Sequence, residues 1–597
     1  MICAPLMAES VEQMLSDMHQ AKMDGADVVE IRLGCISDFQ PHRDLKLLLE
    51  NKPLPVVVVY GPTWEAGEYE GDEQERLQAL LLAKDLGADY IELELKVASA
   101  FMKEDKLGRL NSSKIIVSCY LDSLASFRED FHCLIAEMRS MNADIIKFVS
   151  VFIDMINLVF YDLKGQSWNR VFAIAFTFVV GIRCKRSCTM IAYCTGERGL
   201  ISQLLSFKFG GVFAYGSLEG TAICGLPSID SLRQAYGVKN IDKNTVVFGL
   251  LSKPVSHSKG PILYNPAFRH VCYNGIYVPM LVDDLKAFFT VYTSSDFAGF
   301  SVGIPYKEAV IDFCDEVHPL AQSIGAVNTI VRRPDDGKLV GHNTDCEAGI
   351  TAIEDALKHR NAQFGSVKSF ATSEEVVCAC GCWSAGRALA LVLKPGGHGL
   401  SSLTLILVEY YYSESFSNSH FIMYHFCSQI PDGFYSQPIY MSVLFNRAKS
   451  LAAAVSGKAL PFEDLIGFRP EKEAILANAT PLGMHPNMDR IPVPEETLRD
   501  YKLVFDAVYT PRKTRLLKEA EAAGAIVVSG VEMFLRQATA QFSLFTGHKG
   551  KVKGDLELYE LQIELQGCED ETLQSYPVMD EDAESDPKVV RSGPMEE

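Results

Sequence analysis

The sequence predicts an α/β protein of several domains, with a (β/α)8 barrel first and a second strand–helix alternation after it. With 597 residues, the chain is too long for one hydrophobic core, so two to four domains are expected. Strand-like runs alternate with helical patterns in the first part of the chain, which is typical of a barrel. These runs are 2–7, 27–33, 55–60, 89–95, 114–119, 144–149, 190–194 and 212–215. A new strand at 246–251 starts a further α/β region.

Composition narrows the class of protein. The net charge of −20 argues against nucleic acid as the main partner. The 16 cysteines form no paired CxxC sets, so we expect no metal site and no disulfide framework. The most apolar run, 171–182, is much shorter than the roughly 20 residues that span a membrane. We therefore expect a soluble protein without a membrane partner. The first strand leaves no room for a secretory signal or transit peptide, so we expect the chain to be either cytoplasmic or truncated.

Four short polar clusters recur in the second region, each beside an apolar run. They are VSHSKGP at 255–261, GFSVGIPYKE at 299–308, GAVNT at 325–329 and GHNTD at 341–345. Turn-type clusters at strand ends bring their side chains to one rim of a sheet. A lysine, an aspartate, an asparagine and serines on one rim suit a small polyol acid, since they can move a proton and bind carboxylate and hydroxyls.

The ordered clusters resemble the shikimate dehydrogenase family, and residues 2–547 resemble the fused 3-dehydroquinate dehydratase–shikimate dehydrogenases of plants. The resemblance implies a barrel at 1–228, a substrate-binding domain at 243–345, a Rossmann-type dinucleotide domain at 366–510 and a return to the substrate lobe at 511–547. Residues 157–187 and 397–441 look like anomalous insertions, and 548–597 like a disordered acidic tail. Typical members of this plant family are plastid enzymes.

For the dehydrogenase half, the resemblance implies a catalytic pair, Lys307 and Asp345, that moves a proton at the substrate hydroxyl while hydride passes to nicotinamide. The substrate-binding positions would be Ser256, Ser258, Asn328, Tyr509, Gln537 and Gln541. The two glutamines are four residues apart and so share one helix face.

Two further substrate positions differ from the family pattern. Gly260 replaces the second serine of a Ser-Lys-Ser motif, and Gly303 replaces a threonine four residues before the catalytic lysine. We expect these glycines to free volume and to remove two hydrogen bonds at the carboxylate end, each bond contributing roughly 0.5–1.5 kcal/mol. Quinate has a bulkier, tetrahedral C1, so the glycines predict a quinate preference, as in the quinate dehydrogenase branch; neutral drift is the alternative.

The resemblance implies NADP as cofactor, with NAD as the alternative. The glycine-rich motif departs from the family, because Trp383 replaces the glycine that lets the backbone approach the pyrophosphate. The positions expected to bind the cofactor are Gly381, Ser384, Ala385, Gly386, Arg387, Asn446, Arg447, Asn478, Thr480 and Gly530.

In the barrel half, VVEIRL at 28–33 and ADIIK at 143–147 match type I 3-dehydroquinate dehydratases. The match implies that Lys147 forms a Schiff base with the substrate ketone. A lysine inside an apolar strand is also expected to have a lowered pKa. Glu30, Arg32 and Glu65 fall on matched substrate-binding positions.

Departures from this pattern predict an impaired dehydratase. Tyr120 stands where the family has its general-base histidine, and a phenol titrates near pH 10 rather than near neutrality. The other departures are Gly61 and Gln203 in place of arginines, and Ala222 and Leu226 in place of a serine and a glutamine.

The leading hypothesis is an NADP-dependent shikimate or quinate dehydrogenase fused to a weak dehydratase barrel. Two alternatives stay open: a fully bifunctional enzyme of the shikimate pathway, and a non-catalytic protein that binds a metabolite. The expected partners are the small acids shikimate, quinate, 3-dehydroshikimate and 3-dehydroquinate. The protein itself is expected to be a monomer.

Overall fold

The computed structural model describes most of the chain up to residue 548. It does not describe residues 66, 105–112, 122–130, 142, 151–188, 195, 197–198, 220–225, 256–257, 364–374, 381–402, 409–448, 451, 454–457, 461–468, 470–473, 486 and 549–597. The predicted insertion at 157–187, Trp383 and nearly all of the predicted tail lie outside the described residues. The described residues divide into two compact units: Met1–Thr344 together with residues 537–548, and Asp345–Arg536.

The first sheet contains eight parallel strands in the order β7-β6-β5-β4-β3-β2-β1-β8. The strands β1 to β8 are Ile2–Leu6, Val28–Arg32, Val56–Val59, Tyr90–Glu94, Lys114–Leu121, Ile145–Ser150, Thr189–Cys194 and Ala214–Tyr215. Met190 on β7 bridges Gly211, and Val212 N donates to Met190 O at 3.1 Å, so the sheet closes on itself. The predicted (β/α)8 barrel is confirmed.

Six described helices lie between these strands. They are α1 to α6, at Val11–Asp24, Pro41–Glu50, Glu73–Asp85, Leu95–Glu104, Phe131–Ser140 and Leu200–Leu204. Local sequence sets their ends: the Ser10 side chain caps the start of α1, and Gly25 ends it with φ +92°. Asp72 caps α3 in the same way.

The barrel interior is layered because strand side chains alternate between the two faces. An apolar layer is formed by Cys3, Val28, Val57, Tyr90, Ile116, Ile145, Ile191 and Phe213. Two residues further along the same strands, the next layer carries the buried polar side chains of Glu30, Glu92, Ser118 and Lys147. These polar groups therefore lie toward the carboxyl ends of the strands, where barrel enzymes hold their active sites.

The second sheet has six strands in the order β10-β9-β11-β13-β14-β12. The elements in chain order are β9 Val246–Ser252, α7 Gly260–His270, β10 Gly275–Leu281, α8 Leu285–Val291, β11 Phe297–Val302, β12 Glu316–Val317, α9 Pro319–Ile324, β13 Thr329–Arg332 and β14 Leu339–His342. The strand β13 runs antiparallel to both of its neighbours, β11 and β14. Its start therefore lies beside the ends of those two strands.

The third sheet is parallel, in the order β17-β16-β15-β18-β19-β20. Its elements are α10 Asp345–Gln363, β15 Glu375–Cys380, β16 Leu403–Val408, β17 Lys458–Leu460, β18 Ala474–Asn478, β19 Tyr501–Asp506, α11 Arg515–Ala522, β20 Ile526–Val528 and α12 Gly530–Thr546. This strand order, 3-2-1-4-5-6 in chain sequence, is that of dinucleotide-binding sheets. The Rossmann-type fold is confirmed.

The structure corrects one sequence prediction in this sheet. The stretch 397–441 was expected to be an insertion, but Leu403–Val408 forms β16 and pairs with β15 along its length. The run LTLILV is apolar and rich in strand-forming residues, so it joins the sheet like its neighbours. The rest of the predicted insertion lies outside the described residues.

Candidate active sites

The barrel holds a buried lysine between two carboxylates. Lys147 on β6 is fully buried, and its Nζ donates to Glu30 Oε2 at 2.9 Å and to Glu92 Oε2 at 2.8 Å. Glu30 lies on β2 and Glu92 on β4, and both are buried as well. Glu92 was not among the predicted site residues. The two carboxylates neutralise the ammonium and orient it in the barrel interior.

The expectation that Lys147 has a lowered pKa is wrong. Burial alone would lower the pKa of its ammonium group, but the carboxylates of Glu30 and Glu92 outweigh burial and raise that pKa well above its usual value. Lys147 is therefore protonated in the ligand-free protein. Before the amine can attack a ketone, its proton has to move to another group.

The two carboxylates differ in their surroundings. Arg32 Nε lies 3.5 Å from Glu30 Oε1, so Glu30 has two cationic neighbours. Burial alone would raise the pKa of Glu30, but Lys147 and Arg32 outweigh it and hold that pKa below its usual value. Burial raises the pKa of Glu92, and the Glu30 carboxylate adds to the rise, while Lys147 only partly offsets it. Of the pair, Glu92 thus holds a proton more readily.

Tyrosines surround the ammonium group of Lys147. Its Nζ lies 5.0 Å from the ring centroid of Tyr215, and the ring of Tyr193 lies 4.8 Å from that of Tyr215, tilted by 41°. The Tyr215 hydroxyl is buried, and this burial, with the nearby Glu30 carboxylate as a second cause, raises the pKa of its phenol. Burial raises the pKa of the Tyr120 phenol, so Tyr120 cannot act as a base near neutral pH.

The remaining predicted barrel residues lie at the rim or behind the strands. Glu65 Oε1 accepts a hydrogen bond from Tyr120 N at 2.9 Å, and burial raises the pKa of Glu65 to about 7. Gln203 is buried on α6, where its Oε1 accepts from Tyr215 N at 3.1 Å. Gln203 thus supports β8 and supplies no positive charge for a substrate carboxylate. Ala222 lies outside the described residues.

Three loops that carry predicted dehydrogenase residues are tied together in the substrate lobe. Asn328 Nδ2 donates to Thr344 Oγ1 at 2.9 Å, and Asn328 Oδ1 accepts from Thr344 N at 2.9 Å. The carbonyl of Lys307 accepts from Val327 N at 2.7 Å. The loops after β11 and β14 are thereby fixed to the loop before β13. Asp345 follows Thr344 directly and begins α10, where it is 5% exposed.

A buried polar cluster on α12 supports Asn328. Gln541 Oε1 accepts hydrogen bonds from Tyr264 Oη and Ser301 Oγ, each at 2.7 Å, and its Nε2 donates to Asn328 O at 3.1 Å. Gln541 was predicted to bind substrate; in the structure it joins α12 to α7, to β11 and to the loop before β13. Gln537 lies one turn earlier on the same helix and is half-buried.

Gly260 and Gly303, which are predicted to lie near the carboxylate of the substrate, are surrounded by side chains. A Cβ atom built at Gly260 would lie 2.5 Å from Tyr277 Cε1, and one built at Gly303 would lie 2.6 Å from Ser252 Oγ. The predicted free volume is therefore not present, because these two neighbours occupy it. Ser258 Oγ accepts from Gly260 N at 3.1 Å in the first turn of α7, while Ser256 lies outside the described residues.

The described part of the dinucleotide lobe places two predicted residues at the switch point of its sheet. Asn478 ends β18, next to β15, where the strand order reverses and dinucleotides bind. Asn478 Oδ1 accepts from Thr480 N at 3.0 Å, so the two residues shape the loop that follows. A Cβ at Gly530 would lie 2.5 Å from Val508 O, and only glycine permits this close approach. Tyr509 is 37% exposed and stacks on Phe534.

Several predicted cofactor residues cannot be placed. Gly381, Ser384, Ala385, Gly386, Arg387, Asn446 and Arg447 lie outside the described residues. Among the described residues, no cluster of three His, Cys, Asp or Glu side chains could hold a metal ion. The same part of the chain contains no helix long and apolar enough to cross a membrane.

Family models and relatives match both halves. The model of type I 3-dehydroquinase matches residues 2–158 and 167–243, and that of the shikimate dehydrogenase substrate binding domain matches 250–330. The bifunctional 3-dehydroquinate dehydratase/shikimate dehydrogenase, chloroplastic, of Arabidopsis thaliana is 42% identical over 92% of this chain and 82% of its own. The NADP(+) shikimate dehydrogenase of Methanothermobacter thermautotrophicus is 32% identical over 51% of this chain and 93% of its own.

A solved structure covers most of the chain as well. The dehydroquinate dehydratase and shikimate dehydrogenase from S. pombe is 20% identical over 92% of this chain and 95% of that one, with a TM-score of 0.35. Fold and sites together define a two-part α/β enzyme, in which a lysine-containing barrel is joined to a dehydrogenase. The chain belongs to the bifunctional 3-dehydroquinate dehydratase/shikimate dehydrogenase family.

Proposed function

We propose that the chain is an NADP-dependent dehydrogenase that interconverts shikimate- or quinate-type acids and their 3-keto forms. The observation that carries this proposal is the joining of the loops of Lys307, Asn328 and Thr344 at one edge of the second sheet. A lysine and an aspartate on such loops can exchange a proton with a substrate hydroxyl. The matches to shikimate dehydrogenases over the same residues support it.

The dinucleotide lobe supports the cofactor assignment. Its strand order and the position of Asn478 and Thr480 beside the switch point fit a bound dinucleotide. Bound NADP supplies or accepts hydride at its nicotinamide ring. The contribution of the chain is to bind the substrate and to move the hydroxyl proton through Lys307. NAD is the alternative cofactor.

Replacement of Lys307 tests this assignment. Lys307→Met should lower kcat for NADP-dependent shikimate oxidation by roughly 10²–10⁴-fold, because the proton-transfer group is lost. Lys338→Met, which removes an exposed lysine paired with Glu316 on the same lobe, should leave kcat unchanged. If the two variants are equally active, Lys307 has no catalytic role. Absence of an NADP-induced rise in Tm in the parent protein would instead favour the non-catalytic alternative.

We further propose that the barrel is a weak 3-dehydroquinate dehydratase. Lys147 is present and buried, so imine formation with a ketone is retained. The phenol of Tyr120 cannot replace an imidazole base, and Gln203 supplies no charge for the substrate carboxylate. Elimination should therefore be slow. A dehydratase rate typical of the family would favour the fully bifunctional alternative.

A preference for quinate over shikimate is the second candidate. Gly260 and Gly303 remove two hydroxyl groups from the carboxylate end, although the space beside them is filled by Tyr277 and Ser252. Loss of hydrogen bonds, rather than added room, is thus the physical basis of the proposal. Parallel measurement of kcat/KM for the two acids tests it, and a higher value for shikimate would contradict it.

Location and oligomeric state also stay proposals. The Arabidopsis relative is named chloroplastic, and we propose the plastid and the cytoplasm as alternative compartments for this chain. Imaging of a fluorescent fusion in plant cells distinguishes the two compartments. Sedimentation analysis tests the expected monomer.

A further inference from the structure

The proton of Lys147 has to leave before the barrel can bind a ketone covalently. Both Glu30 and Glu92 accept hydrogen bonds from its Nζ, at 2.9 and 2.8 Å. Glu30 is also 3.5 Å from the guanidinium of Arg32, which keeps a negative charge on it. Glu92 has no such second cation among its described ion pairs.

From this geometry we propose that Glu92 is a catalytic residue of the barrel, taking the ammonium proton of Lys147 and returning it during imine formation with a cyclic keto acid. This inference rests on the proposed function, since it assumes that Lys147 reacts with a ketone. The raised pKa of Glu92 agrees with the role, because a carboxyl that holds a proton can also give it back.

The proposed step is balanced without any other reactant. The Lys147 ammonium gives one proton to Glu92 Oε2, and the neutral amine attacks the ketone carbon to form a C–N bond. The nitrogen then passes a second proton to the former carbonyl oxygen, which gives a neutral carbinolamine. Glu92 donates its proton to that hydroxyl group, which leaves as water, and the nitrogen lone pair forms the C=N bond. The products are the protonated imine, water and the Glu92 carboxylate.

The neighbouring groups do not offer a better acceptor. Burial raises the pKa values of the Tyr120, Tyr193 and Tyr215 phenols, so these groups remain protonated. Glu94, on the same strand as Glu92, is paired with Arg76 at 2.8 Å. The titratable and charged groups that influence Lys147, Glu30 or Glu92 are Cys3, Arg32, Glu65, Glu94, Tyr120, Tyr193 and Tyr215.

The test compares two matched variants of one strand, Glu92→Gln and Glu94→Gln. Each removes one buried carboxylate of β4, but Glu94 pairs with Arg76 at 2.8 Å, so only Glu92→Gln removes the proposed proton acceptor of Lys147. Imine formation is measured by incubating the full chain with 3-dehydroquinate, trapping with cyanoborohydride, and locating the adduct on the Lys147 peptide by mass spectrometry. The rate is recorded from pH 6 to pH 10.

We expect Glu92→Gln to slow adduct formation at pH 7 by at least about 10-fold, with recovery toward the parent rate as pH rises, because solvent base then removes the proton. Glu94→Gln should remain within about threefold of the parent at pH 7. An unchanged rate in Glu92→Gln, an equal loss in both variants, or a loss without recovery at high pH would overturn the proposal.

The activity of the dehydrogenase half distinguishes a failure of this inference from a failure of the proposed function. NADP reduction with shikimate, measured on the same preparations, reports whether each variant is folded and whether the dehydrogenase proposal holds. A parent protein that reduces NADP but forms no Lys147 adduct overturns the role of Glu92 alone. A parent that forms the adduct but never reduces NADP overturns the dehydrogenase and leaves Glu92 supported by its own pH profile.

Discussion

At the scale of single residues, Asp506 shows how burial changes a carboxyl group. It is fully buried at the end of β19, where its Oδ1 accepts from Asn478 Nδ2 at 2.9 Å and its Oδ2 accepts from Thr514 Oγ1 at 2.6 Å. Burial raises its pKa to about 6, and the hydrogen bonds only partly offset this rise. The group joins the loop of Asn478 to the cap of α11, so its protonation affects the predicted cofactor loop.

The stability of this lobe should depend on Asp506 protonation. The pKa of an unfolded aspartate is about 3.9, so the folded protein binds this proton more tightly. The resulting stabilisation is fully present below about pH 4 and is lost as pH rises through about pH 6. Asp506→Asn removes this dependence, so the Tm of the variant minus that of the parent should increase from pH 4.5 to pH 7.5. Asp489→Asn, an exposed control, should show no such trend; a pH-independent difference for Asp506→Asn contradicts the assignment.

Restoring a hydroxyl at Gly303 should change substrate preference. A side chain at Gly303 meets Ser252 Oγ at 2.6 Å and Ser252 Cβ at 2.9 Å, so Gly303→Thr is made together with Ser252→Gly, which removes both atoms. One restored hydrogen bond to the substrate carboxylate should raise the ratio of kcat/KM for shikimate to that for quinate by about 2- to 10-fold. Ser252→Gly by itself is the control. An unchanged ratio means that Gly303 does not lie near the carboxylate end of the substrate, where shikimate and quinate differ.

At the scale of elements, α12 fixes the substrate lobe through Gln541. The Tyr264 hydroxyl comes from α7 and the Ser301 hydroxyl from β11, so this one amide joins three elements and the loop of Asn328. All of these groups are buried, so a missing partner leaves an unsatisfied polar atom. The cluster explains how α12 supports the substrate-binding loops.

Removal of one donor from this cluster should cost little stability but affect the site. Tyr264→Phe and Ser301→Ala should each lower the free energy of unfolding by roughly 0.5–1.5 kcal/mol, since Gln541 Oε1 keeps one donor in each variant. The double variant leaves that oxygen without either hydroxyl and should lose more than the sum. Urea unfolding measures the changes, with Tyr273→Phe on the same lobe as control. Strict additivity would contradict a shared cluster.

The secondary-structure elements were predicted more accurately than the ion pairs between their side chains. Runs of β-branched and apolar residues gave the barrel strands to within a few residues, because every strand of a closed parallel sheet is buried on both faces. Glu92 was not predicted as a site residue, because the alternation of apolar and acidic residues in IELEL is typical of a strand with one solvent-exposed face. The raised pKa of Lys147 was missed because its partners are 117 and 55 residues away in sequence. Distant contacts of this kind appear only in the folded chain.

At the scale of the first unit, Lys208 connects the barrel to the substrate lobe. Lys208 belongs to the segment that links α6 to β8, and its side chain is buried. Its Nζ donates to Thr245 O at 2.7 Å and to Lys243 O at 3.2 Å. It also lies 3.5 Å from Asp296 Oδ2 in the loop before β11. Three polar groups of the substrate lobe and the segment before it therefore depend on one barrel side chain.

Lys208→Met should weaken this connection. The methionine keeps the apolar stem but leaves buried carbonyls unpaired, which costs about 1–3 kcal/mol. We expect a lower Tm for the full chain, while Lys22→Met, an exposed lysine on α1, should leave Tm unchanged. Equal Tm values for the two variants would mean that the interaction contributes nothing to stability.

The central claim is that one chain combines an active dehydrogenase with a weakened dehydratase, and a single preparation can test it. Both rates should be measured at pH 7: NADP reduction with shikimate and quinate, and dehydration of 3-dehydroquinate. We predict clear NADP reduction and a dehydratase kcat roughly 10²-fold or more below the dehydrogenase kcat, because the barrel lacks its histidine. Comparable rates for the two reactions, or dehydration without NADP reduction, would contradict the claim.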